Sequence, residues 1–100
     1  MADNLLSLEL TDHAQMQYST LGSEDRRQLD AWFNHLRAWR NNQELRSLSW
    51  RLEADETYAL PTGPDFVIAF RIADNRVIVL SIFSQEAVRA FANTVERQSP

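Results

Sequence analysis

The sequence contains no cysteine and no lysine, and it has only two glycines and three prolines among its 100 residues. Without cysteine the chain can form neither a disulfide nor a thiolate metal site, and it has no cysteine nucleophile. Two isolated glycines cannot make a glycine-rich loop that cradles a phosphate. No apolar run approaches the roughly 18 residues that cross a bilayer. These absences favour a cytoplasmic protein without a membrane segment.

The charge of the chain is unevenly distributed. Its net charge is −4 and all ten of its positive residues are arginines. Six of these arginines lie between Arg26 and Arg51, where only Asp30 and Glu44 oppose them, so this segment has a balance of +4. The rest of the chain has a balance of −8. A surface for phosphates would therefore have to be local, against a repulsive background field.

The first half of the chain predicts a strand and two helices. Alternating leucines at residues 5–10 predict a strand, and Thr11 is a suitable N-cap for a helix from Asp12. Gly22 is expected to end that helix and Ser23 to cap the next one. The second helix is expected to run to Asn41-Asn42 with one apolar stripe, made by Leu29, Trp32, Phe33, Leu36 and Trp39.

The second half predicts mainly strands. PTGP at 61–64 is expected to be a loop, and Asp74-Asn75 suits a tight hairpin turn. The predicted elements are a connector over 43–55 that ends in a strand near 50–53, strands at 57–60, 66–73 and 76–83, and a final helix from Ser84 with a stripe of Val88, Phe91, Ala92 and Val95. The chain is thus predicted to be one α+β domain over 1–100, with its core at about 5–95. Its order is an N-terminal strand, a helical hairpin, an antiparallel sheet of three or four further strands and a C-terminal helix.

Residue parity predicts which side of the sheet each residue of 66–73 faces. Phe66, Ile68, Phe70 and Ile72 alternate with Arg71, so the apolar set is expected to face the helices and Arg71 the other side. Arg71 there could pair with an acid across the strands, such as Glu56, or simply solvate the sheet face. Its position also makes it a candidate functional residue.

The arginines of the second helix have two interpretations. Arg26, Arg37 and Arg40 fall along one flank of the apolar stripe. Their aliphatic stems could cover the core edge while the guanidinium groups sit in water. Alternatively, the flank could bind phosphates or an acidic partner segment. For the two histidines, His13 and His35, no second histidine or carboxylate at metal-ligand spacing stands out, so neither a metal site nor any other cofactor is predicted.

Several phrases of the chain resemble the RelE/ParE toxin superfamily of bacterial toxin–antitoxin modules. LELTDHAQMQYSTLGSEDRRQL follows the family's spacing of a strand, a short helix, Leu-Gly-Ser and a second helix. TYAL and FRIADNRVIVLSI are similar to its central strand and closing hairpin. The resemblance covers about residues 6–92. It implies the family fold and a cytoplasmic toxin that is neutralised by an acidic antitoxin.

The resemblance also implies a site, which this sequence largely lacks. RelE-like members cleave messenger RNA in the ribosome with basic and aromatic residues on the exposed sheet face, whereas the ParE target is gyrase. The positions that correspond to the family's cations and late aromatic are Ala59, Pro61, Val67, Ser84 to Ala87, and Phe91 or Asn93. The weak catalytic candidates that remain are Arg71, Arg89 and Tyr58.

These observations predict a toxin-like protein that acts by protein binding rather than RNA cleavage. The expected partner is an acidic, antitoxin-like protein, and the residues expected to contact a partner are Arg26, Arg37, Arg40, Arg51 and Arg71. A ribosome-dependent endoribonuclease that uses Arg71 and Arg89, with Arg51 and Tyr58, is the alternative, although the acidic net charge disfavours RNA. A binding protein of the same fold outside toxin biology is the second alternative.

Overall fold

The computed structural model describes residues 5–52 and 56–86. Their elements, in chain order, are β1 (Ser7–Leu10), α1 (Asp12–Ser19), α2 (Ser23–Arg37), a 3₁₀ turn (Trp39–Asn41), α3 (Gln43–Leu48), β2 (Trp50–Arg51), β3 (Thr57–Thr62), β4 (Phe66–Ala73) and β5 (Arg76–Ser84). The predicted apolar stripe of the final helix (Val88, Phe91, Ala92 and Val95) and the candidate Arg89 lie outside the described residues.

The five strands form one sheet in the order β1-β5-β4-β3-β2. The pairs from β5 to β2 are antiparallel, but β1 pairs with β5 in parallel. The four further strands are thus antiparallel, as predicted, and the parallel pairing of the N-terminal strand makes the whole sheet mixed. The α+β class is confirmed, as is the order of strand, helical hairpin and four further strands.

The structure corrects the prediction between residues 37 and 62. Helix α2 ends at Arg37 rather than at Asn41-Asn42. Much of the predicted connector is helix α3, because the Asn42 side chain accepts a hydrogen bond from the Leu45 N–H at 2.9 Å and caps it. Strand β3 includes Pro61 and Thr62, which had been assigned to a loop. Proline is tolerated there because β2 pairs only with Tyr58 and Ala59, so Pro61 needs no outward N–H.

The helices cover one face of the sheet, as parity predicted. Ile68, Phe70 and Ile72 of β4 are buried in the core. They are joined there by a set of buried side chains from the helical part: Ala14, Leu29, Phe33, Leu36, Trp39 and Leu45. The predicted stripe of α2 is thus buried except at Trp32, which is partly exposed.

Helix α1 closes an otherwise free edge of β5. Strand β1 pairs only with residues 76–79, and β5 continues beyond it. In the continuation, the Thr11 hydroxyl donates to the Leu80 carbonyl at 3.1 Å. The Gln17 side-chain oxygen accepts from the Ile82 N–H at 2.7 Å and from the Ser81 hydroxyl at 3.2 Å. Side chains of α1 therefore take the place of a strand, and the edge is covered.

The β4–β5 turn is a tight two-residue connection at Asp74-Asn75, as predicted. Asp74 has a positive φ of 56°, a conformation that glycine adopts freely and β-branched residues avoid. Arg40 holds the turn from outside, since its guanidinium donates to the Asp74 carbonyl at 2.6 Å and to the Asn75 side chain at 3.0 Å.

We expect Asp74→Val to lower the free energy of unfolding by about 1–2 kcal/mol, because the left-handed conformation is strained for side chains that branch at Cβ. Asp74→Gly makes the same change in charge without that strain, and it should be at least as stable as the parent. Urea unfolding of both variants measures the difference. Equal stabilities for the valine and glycine variants would contradict the expectation.

Candidate functional site

We call the sheet face turned away from the helices the second face. The register of the strands shows which residues lie on it. Trp50, Ala59, Ala69 and Ser81 lie side by side across four strands. Ala59 and Ala69 are only 6% and 8% exposed, whereas Trp50 at the margin is 49% exposed. Phe83, at the far margin, is 43% exposed. The second face therefore has a buried centre of small residues and exposed aromatic margins.

Arg71 lies on the second face, as predicted, between Thr57 of β3 and Ile78 of β5. It is exposed, and within residues 5–52 and 56–86 no hydrogen bond or ion pair involves its guanidinium. The Glu56 carboxylate, considered above as its partner, instead accepts a hydrogen bond from the Tyr58 hydroxyl at 3.4 Å. Arg71 is thus a cation available to a ligand.

Arg76 is a second arginine on this face, and the sequence analysis did not select it. Its position opposite Ala73 and Ser7, one residue before the buried Val77, puts it on the same side as Arg71. The parity of β5 was the signal that could have found it. Glu9 of β1 pairs with Arg76 at 3.3 Å, so this cation is already neutralised.

The structure does not bring Tyr58 and Arg71 together. Tyr58 pairs with Phe70 and lies on the helix side of the sheet. Arg71 pairs instead with Thr57, the residue before Tyr58, and so lies on the other side. Its ring packs between Trp39 and Phe70, with centroid distances of 4.8 and 5.7 Å. A catalytic tyrosine would have to reach the same phosphate as the arginine. The two candidates stand on opposite faces, and the third, Arg89, lies outside the described residues.

The expected partner-binding arginines are also divided between surfaces. Arg51 lies opposite Tyr58 on the edge strand β2, so it does not share the second face with Arg71. Arg26 lies in the first turns of α2. Arg37 and Arg40 lie at the other end of α2 and in the 3₁₀ turn. These five residues therefore do not form one patch.

Three arginines do converge at the end of the domain where α2 ends and the β4–β5 turn lies. The Arg37 Nε donates to the Leu6 carbonyl at 3.1 Å, and Arg40 bonds the turn. Arg46 of α3 donates to the carbonyls of Trp39 and Arg40, at 3.0 and 2.6 Å. The main-chain bond from Ser7 N–H to the Asn75 carbonyl, at 2.8 Å, joins the segments that Arg37 and Arg40 contact. We call Arg37, Arg40 and Arg46 the arginine corner.

At the helical hairpin, a contact between α1 and α2 raises the pKa of Tyr18. The Tyr18 hydroxyl donates to the Asp30 carboxylate at 2.7 Å, and this hydrogen bond raises the pKa of Tyr18, with smaller contributions from burial and from the Asp30 charge. A raised pKa keeps this phenol protonated at neutral pH. Tyr18 therefore ties α1 to α2 and is not a base.

The described residues show no arrangement for a metal or a membrane span. No group of three His, Asp or Glu side chains in residues 5–52 and 56–86 is placed to hold a metal ion. His35 packs edge-on against Trp32, with ring centroids 5.8 Å apart. In the same residues, no helix is long and apolar enough to cross a bilayer.

Comparison with known proteins gives matches in structure but none in sequence. No family model matches the chain, and no curated protein matches its sequence. A mutant of the E. coli toxin RelE in the free state is 18% identical, with a TM-score of 0.66 over 95% of this chain and 99% of that one. A chain of the RelBE2 toxin–antitoxin complex of Mycobacterium tuberculosis is 16% identical, with a TM-score of 0.64 over 81% of this chain and 99% of that one. YafQ from E. coli is 13% identical, with a TM-score of 0.60 over 83% of this chain and 97% of that one.

These similarities, together with the strand order and the helical hairpin, define the class of fold. The chain has the fold of the RelE/ParE toxin superfamily, as the resemblance in its sequence had implied. The similarity spans nearly the full length of the matched toxins, so the fold is shared as a whole domain.

Proposed function

We propose that this protein is a cytoplasmic, toxin-like component of a toxin–antitoxin module, and that it acts by binding a protein rather than by cutting RNA. The shared fold with toxins such as RelE and YafQ supports the toxin-like role. The RelBE2 structure, a toxin–antitoxin complex, supports an antitoxin as the partner. The exposed arginine corner suits an acidic antitoxin segment.

The composition of the second face is the observation that favours binding over catalysis. Phosphodiester cleavage needs cations at the phosphate and a proton donor and acceptor on either side of it. In the described part, Arg71 and Arg76 are the arginines whose register places them on this face, and Glu9 neutralises Arg76. Removing one charge-stabilising donor typically costs about 100-fold in rate. With one available cation among its described residues, this face is poorly equipped for that reaction.

Induced expression in a bacterial host tests both parts of the proposal. We expect growth arrest without ribosome-dependent cleavage of transcripts, measured by colony counts and by mapping transcript ends. Purified protein mixed with gyrase and, separately, with ribosomes would then distinguish a supercoiling target from a translation target. The variant Arg71→Ala plus Arg89→Ala removes both arginine candidates. Arg27→Ala is the control, since Arg27 is exposed and its ion pair is with the exposed Glu24.

Two results would contradict the proposal in different ways. Transcript cleavage that falls about 100-fold in the double variant, but not in Arg27→Ala, would show a ribonuclease. Normal growth on induction would instead support a binding protein outside toxin biology, an alternative that the acidic net charge favours.

A further inference from the structure

The arginine corner has no acidic ion-pair partner among the described residues. The ion pairs found within residues 5–52 and 56–86 are Arg27 with Glu24 and Arg76 with Glu9. The acids nearest to the corner in sequence, Glu44 and Asp74, pair with none of its arginines. Arg37, Arg40 and Arg46 are nevertheless all exposed. Within the described ranges, therefore, no carboxylate forms an ion pair with any of the three guanidinium groups of the corner.

The guanidinium groups of the corner are also held in place. Each one donates to at least one main-chain carbonyl, of Leu6, Asp74, Trp39 or Arg40. An arginine has five N–H donors, so each retains donors for a ligand after these bonds. Because the side chains are already ordered, binding there loses less conformational entropy than binding to free arginines.

A small groove of mixed lining adjoins the corner between α2 and α3, with a volume of about 140 Å³. Its apolar side is made by Trp32, Leu45 and Leu48, and its polar side by His35, Asn42 and Glu44. Leu48 is 51% exposed, although Leu45 below it is buried. Asn42 lines the groove and connects it to the corner, since its carbonyl accepts the main-chain N–H of Arg46 at 3.1 Å.

We propose that the arginine corner and this groove together bind an acidic peptide segment of a partner protein, with its carboxylates on the guanidinium groups and one aliphatic side chain in the groove. Arginine binds carboxylates through paired, charge-assisted hydrogen bonds. A long polyphosphate chain fits less well, because it has no aliphatic side chain to place against Trp32, Leu45 and Leu48 in the groove. This inference rests on the proposed function, since it assigns a surface to the antitoxin-like partner.

Fluorescence anisotropy with defined probes tests the site on the purified full chain. The probe is a short synthetic peptide of glutamates with a central leucine. Its two comparison probes have glutamine for each glutamate or serine for the leucine, and a single-stranded RNA of equal net charge tests the phosphate alternative. We expect the parent peptide to bind most tightly, and the binding to weaken as salt is raised.

Matched variants locate the binding. Arg37→Gln plus Arg46→Gln should weaken binding of the glutamate–leucine peptide roughly tenfold, because two charge-assisted contacts are lost. The control Arg27→Glu makes the same change in net charge at an exposed position near the other end of α2, and it should alter binding by less than about twofold. Arg40 is left intact because it holds the β4–β5 turn. Leu48→Ser, at an exposed position, tests the groove separately and should weaken binding about threefold.

Equal weakening by the corner variant and by Arg27→Glu would overturn the proposal, because it would show an effect of net charge alone. Tighter binding of the RNA than of the peptide would overturn it as well. Thermal unfolding of each variant shows whether it is folded. If the corner variant is unfolded, the effect of Leu48→Ser on peptide binding still tests the proposal. Peptide binding is measured without cells, so growth arrest without peptide binding would reject this site and leave the proposed function standing.

Discussion

Replacing Phe70 with alanine should remove about 3–5 kcal/mol of the free energy of unfolding. Phe70 is fully buried on the middle strand of the sheet, and its ring contacts both Trp39 and Tyr58, with centroids 5.2 and 5.7 Å away. Truncation would leave a cavity between α2 and the sheet that these large rings cannot fill. Domains of this size have a total stability of about 5–15 kcal/mol, so the variant would be close to unfolding at ordinary temperatures.

Phe83→Ala is the matched control for that prediction. Phe83 lies on the neighbouring strand β5, on the second face, and is 43% exposed. Its truncation removes the same atoms but leaves no sealed cavity, so we expect a loss below about 1 kcal/mol. Denaturant unfolding of both variants, followed by tryptophan fluorescence, gives the comparison. Similar losses would mean that the helices do not pack on β4 as described.

Replacing Gln17 with methionine should cost about 1–3 kcal/mol, although Gln17 belongs to a short surface helix. Its side-chain oxygen is the acceptor for the N–H of Ile82, a residue that is 6% exposed. Methionine has a similar length and no strong acceptor, so the Ile82 N–H would be left without a partner at the edge of β5. We expect faster hydrogen exchange at the Ile82 amide together with the loss of stability.

Gln15→Met provides the control within the same helix. Gln15 is exposed, and its side chain makes no hydrogen bond in the described part of the structure. The substitution should change stability by less than about 0.5 kcal/mol and leave exchange at Ile82 unaltered. An equal effect at both positions would indicate that the glutamines act through helix propensity, and that α1 does not close the edge of the sheet.

The parts of the fold that the sequence predicted have strong local signals. The apolar alternation of β4 and β5 and the Asp74-Asn75 turn gave both strands and the side on which Phe70 and Arg71 lie. The Thr11 cap of α1 was predicted in the same way, from one side chain beside the helix it caps. Helix α3 was missed because it is only six residues long, too short to show a period, although Asn42 was there as its cap.

The candidate site was harder to predict, because it depends on register between strands that are distant in sequence. Arg71 and Tyr58 seemed compatible with one site when their strands were considered separately. The pairing of Tyr58 with Phe70 and of Thr57 with Arg71 puts the two side chains on opposite faces, and a shift of one residue would have reversed that result. The ion pair between Arg76 and Glu9 likewise joins β5 and β1, which are neighbours in the sheet although they are distant in sequence.

The sequence by itself determined the composition and the local elements of this protein: no thiol chemistry, a concentration of arginine between residues 26 and 51, and most of the helices and strands. Those properties depend on residue type and on spacing within a few positions. The tertiary structure alone decided that β1 runs parallel to β5, that Gln17 closes the sheet edge, and that Arg37, Arg40 and Arg46 converge. These results require contacts between distant segments, and no local period of the sequence encodes such contacts.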